Sequence, residues 1–132
     1  MSQENVEEVV RAANEAWNAG DLNSLRDVYD PNIVVRVVRE WPEQGPFIGI
    51  EAVIRQWERQ REAYDAQTLE QTSEIVVVGN RATSRIRWRG SGQGPGVDME
   101  FTALVTVRDG RIVMIDFFWD HAEALEAVGL SE

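Results

Sequence analysis

No cysteine occurs in this chain, which excludes both a disulfide framework and a thiolate metal site. Lysine is also missing, so all 13 Lys and Arg positions are arginine, a side chain suited to bidentate pairing with carboxylates. The one histidine, His121, has no second imidazole or thiolate with which to build a zinc site. No apolar run exceeds a few residues, and the stretch MSQENVEEVV is polar and acidic. Neither a signal peptide nor a membrane span is therefore expected, which makes the cytoplasm the default location. Acidic residues number 23, and the formal net charge is −10. A chain so short of cations is a poor partner for nucleic acid or anionic membranes. At 132 residues, without internal repeats, it suits one domain over 1–132 with a substantial core.

Helical periodicity comes first. Over residues 3–19, Val6, Val9, Val10, Ala13, Ala16 and Trp17 recur at three and four, forming one apolar face. Gly20 supplies a left-handed stop, and Asp21 can cap a second short helix whose stripe is Leu22, Leu25 and Val28/Tyr29. After a turn at Pro31, residues 33–38 are β-branched and nearly continuous, a strand with Ile33, Val35 and Val37 on one face. Residues 39–46, REWPEQGP, form a loop in which Trp41 is expected to pack as an anchor. A third helix over residues 51–66 presents Val53, Ile54, Trp57 and Tyr64. Gln60 or Arg61 falls on the same stripe, Arg61 being expected at the rim, where a long cation reaches solvent.

The second half reads as long strands joined by turns. Gly79-Asn80 is a two-residue hairpin signal that sets Val78 opposite Arg81, hence Glu74 opposite Arg85 and Glu70 opposite Arg89. The SGQGPG segment closes the next hairpin, and if Arg89 faces Asp98, Arg87 faces Glu100. Opposite charges then share one face, while Ile75, Val77, Ile86, Trp88, Met99, Phe101, Ala103 and Val105 share the other. The turn around Asp109-Gly110 decides the last strand. A two-residue turn sends Ile112, Met114, Asp116, Phe118 and Asp120 inward; a three-residue turn bulged at Gly110 sends Val113, Ile115, Phe117 and Trp119 inward. The second set is wholly apolar and selects the bulged turn. Asp116 then lies outside, in the row of Thr102 and Arg85. Asp120 with Glu123 outlines a capping box for a terminal helix, with His121 at its solvated first position.

The segments AWNAGDLNSLRDVYDPNIV, PFIGIEAVIRQW and VRDGRIVMIDFFWD, in the order helix, helix, strand, loop, helix and long antiparallel strands, resemble the nuclear transport factor 2-like superfamily. The nearest likeness is to its small SnoaL-like, polyketide cyclase-like proteins. The resemblance implies an α+β fold in which a cone-shaped, strongly curved, mostly antiparallel sheet is closed by three helices from the N-terminal half. It also implies an apolar cavity, commonly a homodimer, and no cofactor. Carried over by position, the proton-donating Tyr of the ketosteroid isomerases falls on Ala13, and their Asp base on Val37. The last-strand Asp of the cyclases falls on Phe117, and the Asp-Arg-Asp set of the epoxide hydrolases finds no place.

The expected ligand pocket comprises Trp17, Tyr29, Val37, Trp57, Arg61, Trp88, Phe101, Phe117 and Trp119, with no metal. Inward aromatic rings are also ordinary core residues, so three readings stand side by side. The leading one is a pocket for an apolar or polycyclic small molecule, which calls for a cavity of about 300 Å3 or more. The second is a cofactor-free cyclase, isomerase or dehydratase using a buried Asp, Asp116 being the candidate if the last strand flips. The third is a non-catalytic dimerisation module. A homodimer through the outer sheet face is expected from Val76, Val78, Leu104 and Phe118, which fall among the charges there.

Overall fold

The computed structural model describes residues 3–37, 45–64, 66–92 and 96–128. Helix α1 (Gln3–Ala19) ends as its sequence requires. Gly20 takes φ 75°, its amide bonds Trp17 O at 3.1 Å, and Asp21 N bonds Ala16 O at 3.0 Å. Asp21 then caps a single turn over Leu22–Ser24, accepting from Ser24 N, and the chain runs on into α2 (Leu25–Val28). Strand β1 (Tyr29–Arg36) begins earlier than the hydrophobic run indicates, at Tyr29, and takes Pro31 within it. Proline is tolerated because the β1 ladder is irregular between Tyr29 and Val34, where no donor from residue 31 is needed. After β2 (Phe47–Ile48), α3 spans Ile50–Glu62, shorter than the periodicity suggests because Ala63 caps it and β3 (Ala66–Gln71) follows at once. Trp41 and Val38 lie outside the described residues.

Strands β4 (Val76–Val78), β5 (Arg81–Ser91), β6 (Val97–Arg108) and β7 (Arg111–Phe118) complete a sheet of order β2-β1-β7-β6-β5-β3, with β4 also on β5. All described pairings are antiparallel except β1 with β7. The fold is therefore α+β, with a mixed, curved, unclosed sheet.

Charge pairing reads the β5–β6 register correctly: Arg89 faces Asp98, Arg87 faces Glu100 and Arg85 faces Thr102. The ion pairs themselves are diagonal, Arg87 reaching Asp98 at 2.8 Å and Arg85 reaching Glu100 at 3.3 Å. The hydrogen bond from Arg87 holds the Asp98 carboxyl below its ordinary range. The β3 register differs from the expectation. Glu70 faces Arg87 and Gln71 faces Ile86, whereas β4 keeps Val78 opposite Arg81. Between those pairings residues 72–75 oppose only residues 84 and 85, and irregular bonds take over there: Thr72 N to Arg85 O and Arg85 N to Ser73 Oγ, each 2.8 Å. The slip is of two residues, so the faces are unchanged and Glu70 still meets Arg89 at 3.5 Å.

The β6–β7 turn corrects a second expectation. Arg108 pairs with Arg111 across a two-residue turn whose Asp109 and Gly110 take φ 54° and 79°. The bulge sits one pair further in: Val107 faces Ile112, then Thr106 faces Met114, leaving Val113 unpaired. Ile112, not Val113, therefore joins Ile115 in the core. The irregularity lets an apolar residue face inward on both sides of it, which strict alternation forbids. Asp116 does lie on the outer face, opposite Leu104 rather than beside Thr102, and Arg36 on β1 binds it through Nε and Nη2.

The core joins the inner sheet face to α1, α2 and α3 through Val6, Val10, Trp17, Leu25, Val53 and Trp57. Helix α4 (His121–Val128) packs instead on the outer face, against β5, β6 and β7. Asp120 caps it through Ala122 N at 2.8 Å, and Arg81 donates to Ala127 O at 3.1 Å. His121 is not solvated as expected: its Nδ1 lies 3.0 Å from the buried Thr102 Oγ1, which also accepts from Arg85. Leu104 is only 1% exposed, so α4 covers part of the outer surface assigned above to a second copy. Leu104→Ala is accordingly expected to lower the unfolding free energy by about 2–5 kcal/mol in urea denaturation, against under ~0.5 kcal/mol for a wet surface position.

Candidate functional site

A cavity opens between the helical layer and the concave face. Helix α1 contributes Val10, Ala13, Asn14 and Trp17, β1 contributes Tyr29, and α3 contributes Trp57 and Gln60. The sheet supplies Leu69, Ser84, Ile86 and Trp88, then Phe101, Ala103 and Val105, then Ile112, Ile115 and Phe117. Each set follows its own period. Positions 10, 13, 14 and 17 share one helical stripe, and Ser84, Ile86 and Trp88 alternate along one strand face.

The aromatic wall is built edge to face. Phe117 meets Phe101 at 5.2 Å and 89°, and meets Trp57 at 6.4 Å and 69°. Tyr64 stands across Trp88 at 5.7 Å and 87°. Trp88 Nε1 donates to Gln67 Oε1 at 3.2 Å, while Gln67 Nε2 donates to the carbonyls of Gln60, Arg61 and Tyr64 at the end of α3. The tryptophan is thus fastened to the helix end it faces. Asn18 does the same for α1, its amide bonding both Leu69 O at 2.9 Å and Leu69 N at 2.7 Å.

Six of the nine expected residues line the cavity: Trp17, Tyr29, Trp57, Trp88, Phe101 and Phe117. Val37 and Trp119 are half-buried against the core. Arg61 lies outside the lining too, its guanidinium carbon 4.8 Å over the Trp17 ring and Nη1 donating to Trp17 O at 2.6 Å. It caps the end of α1 and holds Trp17 in place. The polar members Asn14, Gln60 and Ser84 were not among the expected residues. Asn14 and Ser84 were legible from spacing, since each falls in step with apolar neighbours on the inward face, and Gln60 lay on the stripe where Arg61 was chosen instead.

The cavity encloses about 80 Å3, well below the expected ~300 Å3, because the aromatic rings reach into the space between the layers. Among the described residues no Asp, Glu, His, Lys or Arg lines it. Ala13 and Phe117, where relatives' acid and cyclase carboxylate would stand, do face the cavity and carry no proton to exchange. Asp116 is bound to Arg36 outside, and Asp120 is spent on the α4 cap. Among the described residues no cluster of three or more His, Cys, Asp or Glu is placed to hold a metal.

Among the described residues the one strongly perturbed group in the wall is Tyr29. Its hydroxyl accepts from Trp57 Nε1 at 3.0 Å. Burial pushes its pKa up to about 12, the Trp57 hydrogen bond opposing that shift.

A curled sheet roofed by helices over an apolar cavity defines the class of nuclear transport factor 2-like domains. The family described as the SnoaL-like domain matches residues 10–115, and the chain belongs to it. No curated protein sequence matches the chain. Its structure is similar to Bal32a from a soil-derived mobile gene cassette, at 21% identity and TM-score 0.81 over 89% of this chain and 92% of that one. An NTF2-like protein from Burkholderia pseudomallei gives 21% and 0.74, over 98% and 99%. IdmH from Streptomyces antibioticus, a candidate polyketide cyclase, gives 25% and 0.72, over 94% and 98%.

The Tyr29 shift has a pH consequence. The folded pKa is raised above the unfolded value near 10, so the unfolded chain loses this proton first. The stabilising contribution is whole below pH ~10 and is lost as pH rises through about 12. Unfolding free energy measured against alkaline pH should fall over that window, and Tyr29→Phe should flatten the fall.

Proposed function

We propose that this protein binds a small, largely apolar molecule in the cavity beneath α1 and α3, without acid–base chemistry of its own. The observation that carries the reading is the wall: six aromatic rings from Trp17, Tyr29, Trp57, Trp88, Phe101 and Phe117, and among the described residues no carboxylate or imidazole. A general acid or base must come within hydrogen-bond reach of the proton it moves; the described lining offers no carboxylate or imidazole, and its one phenol, Tyr29, is held in the neutral form by burial, which makes it a hydrogen-bond donor and not a base. Membership of the SnoaL-like family supports small-molecule binding or cyclase-type function at the coarse level. The Arg36–Asp116 ion pair on the far side of the sheet speaks against the acid–base member of that choice. At about 80 Å3 the space is smaller than the ~150 Å3 cavity that holds benzene, so a single-ring compound seats with a small movement of the wall and a polycyclic one requires a larger movement.

Tryptophan fluorescence tests the reading, because three indoles touch the cavity. A panel of neutral single-ring hydrocarbons and ketones is expected to quench or shift the emission saturably. Asp116→Asn should bind the same compounds within about twofold, its side chain lying outside. Emission unmoved across the panel overturns the binding reading, and turnover abolished by Asp116→Asn overturns the non-catalytic one.

A homodimer through the part of the outer sheet face that α4 leaves uncovered is the assembly proposed with it. Val76, Val78 and Phe118 remain half-exposed there, and apolar side chains among charges are better buried against a second copy. Sedimentation at micromolar concentration should give a dimer, and a monomer throughout rejects this arrangement.

A further inference from the structure

The cavity wall contains hydrogen-bond donors that the protein leaves without acceptors. Gln60, on the apolar stripe of α3, lines the cavity, and its Nε2 is buried without a hydrogen-bond partner. Such a donor in an apolar wall is costly unless something accepts from it. The backbone carbonyl of the same residue is already engaged by Gln67, so the end of α3 is held while its side-chain amide is unmet. One turn earlier, Trp57 donates to Tyr29, which uses the phenolic oxygen as an acceptor. The Tyr29 proton meets no acceptor among the described residues, and Tyr29 also lines the cavity. Two neutral donors therefore belong to one wall.

Charge is excluded at the same place. Among the described residues no cation lines the cavity, and Arg61, next to Gln60 in the chain, is committed to the Trp17 ring and carbonyl. A carboxylate drawn into that space would be buried without a counter-charge. A carbonyl or ether oxygen, which brings lone pairs and no charge, would satisfy the unmet donors.

Building on the binding reading above, we infer that the ligand is an uncharged, single-ring-sized molecule carrying a carbonyl-type oxygen that accepts from the Gln60 amide and the Tyr29 hydroxyl. The rest of the molecule lies against the aromatic wall. Its selectivity comes from these two donors, since the rings favour any apolar body of suitable size.

Calorimetric titration of the full chain with ethylbenzene, acetophenone and benzoate tests this. The first two differ mainly in the oxygen, and the third adds a charge. The ratio of the ethylbenzene Kd to the acetophenone Kd is compared in the wild type, Gln60→Leu and Tyr29→Phe, so that the probes' own hydration cancels. Thermal melts accompany each variant to confirm folding, and two variants are used so that loss of one fold leaves the comparison intact. The ratio is expected to fall about tenfold in each folded variant, about 1.4 kcal/mol, with ethylbenzene affinity retained, and benzoate should bind at least about tenfold more weakly than acetophenone. A fall of less than about threefold in every folded variant, or benzoate binding as tightly as acetophenone, overturns the inference while leaving the pocket. Failure of ethylbenzene and acetophenone alike to bind the wild type overturns the pocket reading itself, and this inference with it.

Discussion

The long antiparallel pairing of β5 with β6 is the constraint on which the rest of the structure depends. Ten consecutive residue pairs lie between Arg81–Thr106 and Gly90–Val97, and a one-residue slip anywhere along them would turn every side chain over. Both faces hold the register. Inside, Ile86 meets Phe101 and Trp88 meets Met99; outside, three arginines are set against Glu100, Asp98 and Thr102. From that pairing follow the concave apolar surface, the helices that must cover it and the cavity left where their aromatic rings do not quite fill the gap. The outer-face ion pairs are largely solvated, so they choose a register more than they stabilise the fold.

The bulge at Val113 is the second decision. A regular β7 would force a choice between Ile112 and the Ile115–Phe117 pair on the inner face, whereas one unpaired residue admits all three. It also leaves Asp116 outside, where Arg36 on the parallel neighbour β1 receives it. A single unpaired residue thus separates this chain from one with a carboxylate in its cavity, and with it from the general-base chemistry such a group would allow.

The outer face is less free than its alternation suggests. Helix α4 occupies it over β5 to β7, and the polar contacts beneath join Thr102, Arg85, His121 and the carbonyl of Trp119. Thr83, also on that face, is fully buried. The side of the sheet opposite the cavity therefore carries a second small core, which shortens the surface left for another chain. Within the cavity the rings supply area, Arg61 and Gln67 hold two of those rings at the helix ends, and Tyr29 and Gln60 would give direction to the ligand proposed above.

Much of this was legible without coordinates. Helix α1 ends where Gly20 and Asp21 place it, six of the nine expected pocket residues line the cavity, and the charge pattern gives the β5–β6 register, because capping, periodicity and alternation act between residues near one another in the chain or directly opposed across a tight turn. Three features were decided only by tertiary packing. Residues 72–75 break the β3–β4 edge, the bulge settles at Val113 instead of Gly110, and α4 folds back over Leu104. Each compares distant alternatives of similar local energy, resolved by which arrangement buries more apolar surface. The cavity's size is of the same kind. Periodicity and alternation turn the rings inward, but how much room remains between them depends on the separation of helices and sheet, a distance no local pattern encodes.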